Sequence, residues 1–394
     1  MFDSKKLISA SAFALLAAGT ALAPAASAQG VTLPSWESED GENYIKFRGR
    51  VLFDMADIDW SSPFTAAPTD SEEFRTARLG LQAEFGEAKI VAEFDFSGDD
   101  VSPNDVYLNY SFDFGSVRVG NFKTMNSLDE LTSGRHVTFM ERGISTDLFA
   151  LDRRIGISYT WSGNGFLASV GAFGGRMDNN FRFAERDGTD ALAARLVYAG
   201  ETEDTLYHIG ASWRHLNYDG GTRVRSRPQA HLANRFQAAD YRTGSAAGEA
   251  DSSTYTNVEF AFVRGAFHGH AEAARLDMDG PAGSPAFNSL FVQGGWIITG
   301  ESRPYKRSSG TFDRIVAERP ITSGGPGAWE VAARYDITDM GDANLGEFRS
   351  TTFGVNWYPV KHVRITGNYV TSELDAPTFT EESDTWQMRL QFDF

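Results

Sequence analysis

Thr385-Trp386-Gln387-Met388-Arg389-Leu390-Gln391-Phe392-Asp393-Phe394, where the chain ends, alternates polar and apolar side chains at every step. Successive side chains of a β-strand point to opposite faces, so this segment has one wholly apolar face with aromatic ends and one wholly polar, charged face. A sandwich would set the apolar face on a core; a transmembrane barrel would set it on lipid and the polar face on a lumen.

The same alternation recurs upstream. Trp329, Val331, Ala333, Tyr335 and Ile337 interleave with Glu330, Arg334 and Asp336, and Ile45, Phe47, Val51 and Phe53 interleave with Lys46, Arg48, Arg50 and Asp54. Further runs cover 77–85, 89–96, 106–112, 116–122, 155–161, 166–173, 192–198, 207–215, 254–264, 267–276, 290–298, 348–358 and 363–369, sixteen segments in all. An even number of strands of about 9 to 11 residues suits a tilted barrel crossing. Long links near 55–73, 123–153, 174–190, 217–253, 338–347 and 372–383 alternate with tight turns at Gly86-Glu87, Gly163-Asn164 and Pro359-Val360. That asymmetry predicts long external loops opposite short periplasmic turns. One link departs from it: if the last strand ends in the periplasm, 300–327 lies on the short-turn side and is far too long for a turn. With Arg303, Lys306, Arg307, Arg314 and Arg319 in it, it is expected to fold into or across the pore.

At the other end, Lys5 and Lys6 precede an apolar run from Leu7 to Ala23 and the small triplet Ala26-Ser27-Ala28, the layout of a secretory signal. The expected organisation is an export signal at 1–28, a short periplasmic segment at 29–43 and a barrel over 44–394. The formal net charge of −17 argues against nucleic acid as a partner. With no cysteine, stability has to come from burial or backbone pairing, and past the signal no run approaches the roughly 18 apolar residues of a membrane helix. Phe394 on the last strand resembles the assembly signal of outer-membrane barrels.

Longer stretches carry a family resemblance. FRTARLGLQ (74–82), AEFDFSGDDVSPNDVYLNY (92–110), VRVGNFKTMNSLDELTSGRHVTFMERG (117–143), DRRIGISY (152–159), WIITGESRPYKRSSGTFDRI (296–315), GAWEVAARYD (327–336) and FGVNWYPVKHVRITGNYV (353–370) are together similar to the phosphate-selective O/P-type porins of Gram-negative bacteria. The resemblance implies an all-β, sixteen-stranded transmembrane antiparallel barrel in the outer membrane, usually trimeric, with long inward-folded loops and arginines drawing anions to a constriction. Three features depart from the family pattern: the segment before the first strand is too short for the coiled coil of some members, Thr76 stands where a second arginine can occur, and Thr124-Met125 lacks a proline after Lys123.

An anion path needs fixed positive charge facing a narrow aqueous lumen. Strand parity puts Lys46, Arg48, Arg50, Arg78, Arg118, Arg154 and Arg214 on the polar face; links add Arg135, Arg142, Arg153, Arg223, Arg225, Arg227, Arg303 and Lys306. By the family motif, Arg135 of TSGR and Arg142 of FMER are the constriction candidates. The competing role for any one arginine is pairing with a lumen acid such as Glu84, Glu93, Asp105 or Glu330.

The expected function is passive diffusion of small anions, phosphate or phosphorylated solutes among them, by a homotrimer embedded in outer-membrane lipid and lipopolysaccharide. A general-diffusion porin is the runner-up; a barrel lipase and a structural envelope protein come behind. His208 and Ser212 share a face about 13 Å apart at roughly 3.3 Å per residue, too far for a nucleophile and its base. His268, His270 and Glu272 share another face, better read as plain wall than as a metal site. Neither cofactor nor metal is expected.

Overall fold

The computed structural model describes residues 35–63, 72–177, 190–218, 222–234, 241–242, 251–281 and 283–394; the expected export segment 1–28 lies outside them. The barrel consists of β1 (Asn43–Ser61), β2 (Glu72–Phe85), β3 (Ala88–Asp95), β4 (Ser102–Phe112), β5 (Gly115–Lys123), β6 (Arg153–Gly163), β7 (Phe166–Phe173), β8 (Asp190–Glu201), β9 (Thr205–Asn217), β10 (Ser252–Arg264), β11 (Phe267–Asp279), β12 (Ala286–Ile297), β13 (Ala328–Asp339), β14 (Glu347–Val360), β15 (Val363–Ala376) and β16 (Phe379–Asp393). Each pairs antiparallel with the next, and β16 returns to β1 from Arg50↔Asp393 to Ser61↔Glu382. Closure leaves no edge strand: each strand has a hydrogen-bonded neighbour on both sides, the condition for spanning lipid. Phe394 completes the seam: its backbone exchanges hydrogen bonds with Gly49, both 3.0 Å, and its ring covers Gly49 so closely that a Cβ there would meet Cζ at 2.6 Å. A short strand, Ser35–Glu37, pairs with Tyr44–Lys46 outside the closed ring.

The faces sort as the alternation predicts. Trp386, Leu390 and Phe392 are exposed on the outer surface, whereas Gln387, Arg389, Gln391 and Asp393 are buried inside. The strands run from 8 to 19 residues, several longer than expected. The expected long link at 372–383 is a correction: β15 and β16 continue through it to Ala376↔Phe379, leaving a two-residue turn. The turn expected at Pro359-Val360 is displaced to Lys361-His362, since β14 includes both residues.

Among the described residues, three connections enter the barrel. The loop 124–152 carries two short helices, α1 (Leu128–Leu131) and α2 (Ile144–Leu148). Ile144, Leu148, Phe149 and Leu151 pack on Tyr255, Phe287, Phe348 and Leu374, an apolar core inside the lumen on the β10–β15 side. The described part of the β9–β10 loop follows: Gln229 Oε1 accepts from Arg334 at 2.9 Å, Ser350 at 3.1 Å and Thr352 at 3.2 Å. From the short-turn end, the 298–327 link sends in a hairpin, Tyr305–Lys306 paired with Thr311–Phe312, whose Phe312 packs on Leu128 of α1.

Candidate functional site

With half the lumen filled, a cavity of about 730 Å³ remains, bounded by the β1–β8 wall and the inward loops. Among the described residues, thirteen lysines and arginines line it against eight aspartates and glutamates, an excess of positive charge in a chain whose net charge is −17.

On the wall, Arg48, Arg50 and Arg78 gather around one carboxylate, Glu93, at 3.1, 3.6 and 3.5 Å, and Arg78 also reaches Asp95 at 2.8 Å. Their grouping follows from register: Arg50 stands opposite Arg78, two residues from Arg48 on the same face. Just above, Leu52 pairs with Thr76 and Phe53 with Phe74, leaving Arg75 as an extra residue in a β-bulge. A bulge re-aims a side chain. Here it turns Phe74 outward, 59% exposed, and brings Arg75 into the cavity, 3.7 Å from Glu141 of the inward loop.

The loop supplies the opposite side. Ser127 Oγ accepts the Glu130 N–H at 3.1 Å and caps α1. Glu130 in turn pairs with Lys123 at 2.7 Å and Arg142 at 3.4 Å. Arg142 also donates to the carbonyls of Asp129 and Thr132, both at 2.8 Å, which fixes its guanidinium. Gly134 lies between the sides: a Cβ there would sit 3.7 Å from Nη1 of Arg50 and 3.9 Å from Nη2 of Arg142. Arg135 reaches Asp393 at 3.6 Å, and Arg153 reaches Asp105 at 2.8 Å. His136 lies 3.2 Å from Asp313, yet burial first, then Arg135 and Arg314, push its pKa down to about 3.

The model of the family "Phosphate-selective porin O and P" matches residues 45–394. The chain belongs to this family. It is accordingly an outer-membrane porin of a Gram-negative bacterium. The porin is 30% identical over 365 residues to an uncharacterised protein of Caulobacter vibrioides, covering 88% of this chain and 73% of that one. It is 24% identical over 396 residues to Porin O of Pseudomonas aeruginosa, covering 90% and 89%. Among solved structures, the anion-selective porin from Comamonas acidovorans shares the fold at a TM-score of 0.59 and 14% identity, over 90% of this chain and all of the other.

Of the residues singled out from sequence, Arg48, Arg50, Arg78, Arg118, Arg135, Arg142, Arg153, Arg227 and Lys306 line the porin's cavity. Others are placed elsewhere, Lys46 lying over the Tyr44 ring at 3.9 Å from its centroid. Arg214 donates to the carbonyls of Phe149 and Ala150 at 2.8 and 3.1 Å, and Arg303 to that of His136 at 2.9 Å. Both are buried and hold the inward loop. Arg154, also buried, donates to Gly174 O at 3.3 Å, and Arg225 lies off the cavity lining. Sequence reasoning passed over Arg75, Arg195 and Arg389, which do line it. The histidines are engaged structurally: His208 meets Tyr305 at 2.5 Å and Glu259 at 3.2 Å, His268 meets Glu330 at 2.7 Å, and His270 meets Glu272 at 2.8 Å. Ser212 accepts from the Ser127 N–H at 3.4 Å.

Proposed function

We propose that the porin passes small anions, phosphate and phosphorylated solutes included, through a constriction between Arg50 on the wall and Arg142 on the inward loop, with Arg135 beside it. The net-basic cavity inside an acidic chain carries this reading. Low-dielectric walls strengthen the attraction of those cations over its value in water. The arginine fork donates two hydrogen bonds at once to an oxyanion and stays charged. Because the wall arginines share carboxylates, the attraction is tempered, and a bound ion can leave. Similarity to Porin O and the fold shared with an anion-selective porin support the same reading. We also take 1–28 as an export signal with the mature chain starting near Gln29, and the assembled form as a homotrimer, the state named for a solved OmpT of Vibrio cholerae with this fold.

Reversal potentials in a salt gradient across a planar bilayer test the proposal, wild type beside Arg135→Ala and Arg142→Ala. Anion preference in the wild type, reduced in both variants, is expected; unchanged selectivity in both would refute the constriction assignment. Millimolar phosphate should depress the chloride current. A current indifferent to phosphate makes the pore a general-diffusion channel.

A further inference from the structure

Arg118 differs from its neighbours on the cavity wall. Arg48, Arg50, Arg75, Arg78 and Arg153 each reach a carboxylate. Among the described residues Arg118 reaches none: its guanidinium is stacked 4.3 Å from the Tyr107 ring centroid and 5.4 Å from that of Phe122, and its buried Nε has no hydrogen-bond partner. Stacking on a ring face leaves the donor edge of the fork available to a ligand.

What surrounds that edge is set by register. Arg118 on β5 stands directly opposite Asn109 on β4 and Ser158 on β6. One row closer to the short-turn end, Ser116, Thr160 and Ser169 lie side by side on β5, β6 and β7, and the row ends in Arg195 on β8. Thr160 and Ser169 share a hydrogen bond of 2.9 Å. Arg195 donates to the carbonyls of Ser309 and Gly310 at 3.2 and 2.9 Å, which pins the link's hairpin against the wall and brings Ser308 and Thr311 to the same cavity. The result is a hydroxyl belt with a single carboxylate-free cation above it.

We infer that this belt, on the short-turn side of the constriction, is a subsite for a phosphate monoester of a polyol such as a hexose phosphate, with Arg118 taking the phosphate and the belt the hydroxyls. The inference rests on the anion-porin reading and deepens it. Inorganic phosphate carries at most two hydroxyls near neutral pH, both on the group that Arg118 takes, which leaves the donors and acceptors of the belt unused. A polyol hydroxyl donates and accepts, as the belt's side chains do. One stacked cation in place of a cluster also holds the phosphate loosely enough for passage.

The test is block of the chloride current through the full-length porin by glucose 6-phosphate, inorganic phosphate and glucose. In the wild type, glucose 6-phosphate is expected to half-block at a lower concentration than phosphate, and glucose not to block. In Thr160→Val/Ser169→Ala the half-blocking concentration of glucose 6-phosphate should rise at least fivefold while that of phosphate stays within twofold; Arg118→Gln should weaken the hexose phosphate by a similar factor. If the double variant fails to form channels, Ser158→Ala stands in with the same expectation. In the belt variants, parallel shifts for both anions or no shift for either would overturn the subsite, as would block of the wild type by glucose itself. Failure of the anion reading is distinguishable, because it appears as a cation-preferring reversal potential in the wild type.

Discussion

Arg389 grips Asp54 across the seam that closes the barrel, its Nε and Nη2 each donating to a carboxylate oxygen at 2.6 Å. The two residues stand opposite each other in the β1–β16 register, and both are buried. The remaining Nη1 donates to the Met140 carbonyl at 2.7 Å, so one side chain ties the seam to the inward loop. Removing one partner of a buried pair strands the other charge and costs about 3–5 kcal/mol, whereas replacing both by apolar groups can be neutral. Arg389→Met alone should therefore lower the temperature at which the barrel unfolds on a denaturing gel markedly, and Asp54→Leu/Arg389→Met should recover most of that loss. A double variant as unstable as the single one would contradict the pair's role in the seam.

Glu93 is the shared counter-charge of Arg48, Arg50 and Arg78 and is itself buried. Glu93→Gln keeps its shape and releases the three guanidinium groups from their common partner. Anion over cation permeability should rise and phosphate block should tighten severalfold, with some loss of barrel stability. Selectivity left at the wild-type value would mean that this cluster faces no part of the ion path.

Strand existence and the polarity of most faces were legible because lipid enforces a two-residue period. The two-residue period ends where the lipid ends. Above Trp386 and Tyr369, whose rings lie 4.6 Å apart, the outer face of β15–β16 turns to Glu373, Asp375 and Glu382, while Leu374 points inward to the apolar core under the loops. Polarity inverts there, so a continuing strand looks like a loop. Arg75 was missed for a related reason, because the bulge at Thr76 shifts the period by one. Arg214 lies off the cavity because parity gives the lumen side of a strand but not whether water or an inserted loop lies beyond it, and Arg303 because membership of an inward link does not say which of its side chains face the water. Both donate to backbone carbonyls of the inward loop, and Arg303 also to the Thr138 hydroxyl, partners to which a sequence pattern is blind.

Gly134 offers a test of where the pore is narrowest. A Cβ there meets only the flexible ends of Arg50 and Arg142, at ordinary contact distances, so Gly134→Ala should conduct much like the wild type. Gly134→Trp would fill the space between the two guanidinium groups, and single-channel conductance should fall by more than half. Wild-type conductance in the tryptophan variant would place the narrowest point elsewhere.

The inward loop also carries a pH dependence with a definite sign. Docked His136 is neutral, its pKa pushed down to about 3 by burial and by the positive charges of Arg135 and Arg314, which outweigh Asp313 and Asp393. In a released loop the imidazole returns toward its ordinary value of about 6.5. Between those values the released loop takes up a proton that the docked loop cannot, so docking is at full strength above about pH 6.5 and weakens as pH falls toward 3. Brief closures or noise in single-channel records should therefore increase below pH 6.5 on the side from which protons reach the loop. His136→Gln keeps the side chain polar and removes the titration, and its records should lose that component of the pH response. If wild type and variant respond alike, other groups of the cavity govern the acid behaviour and His136 serves only as packing.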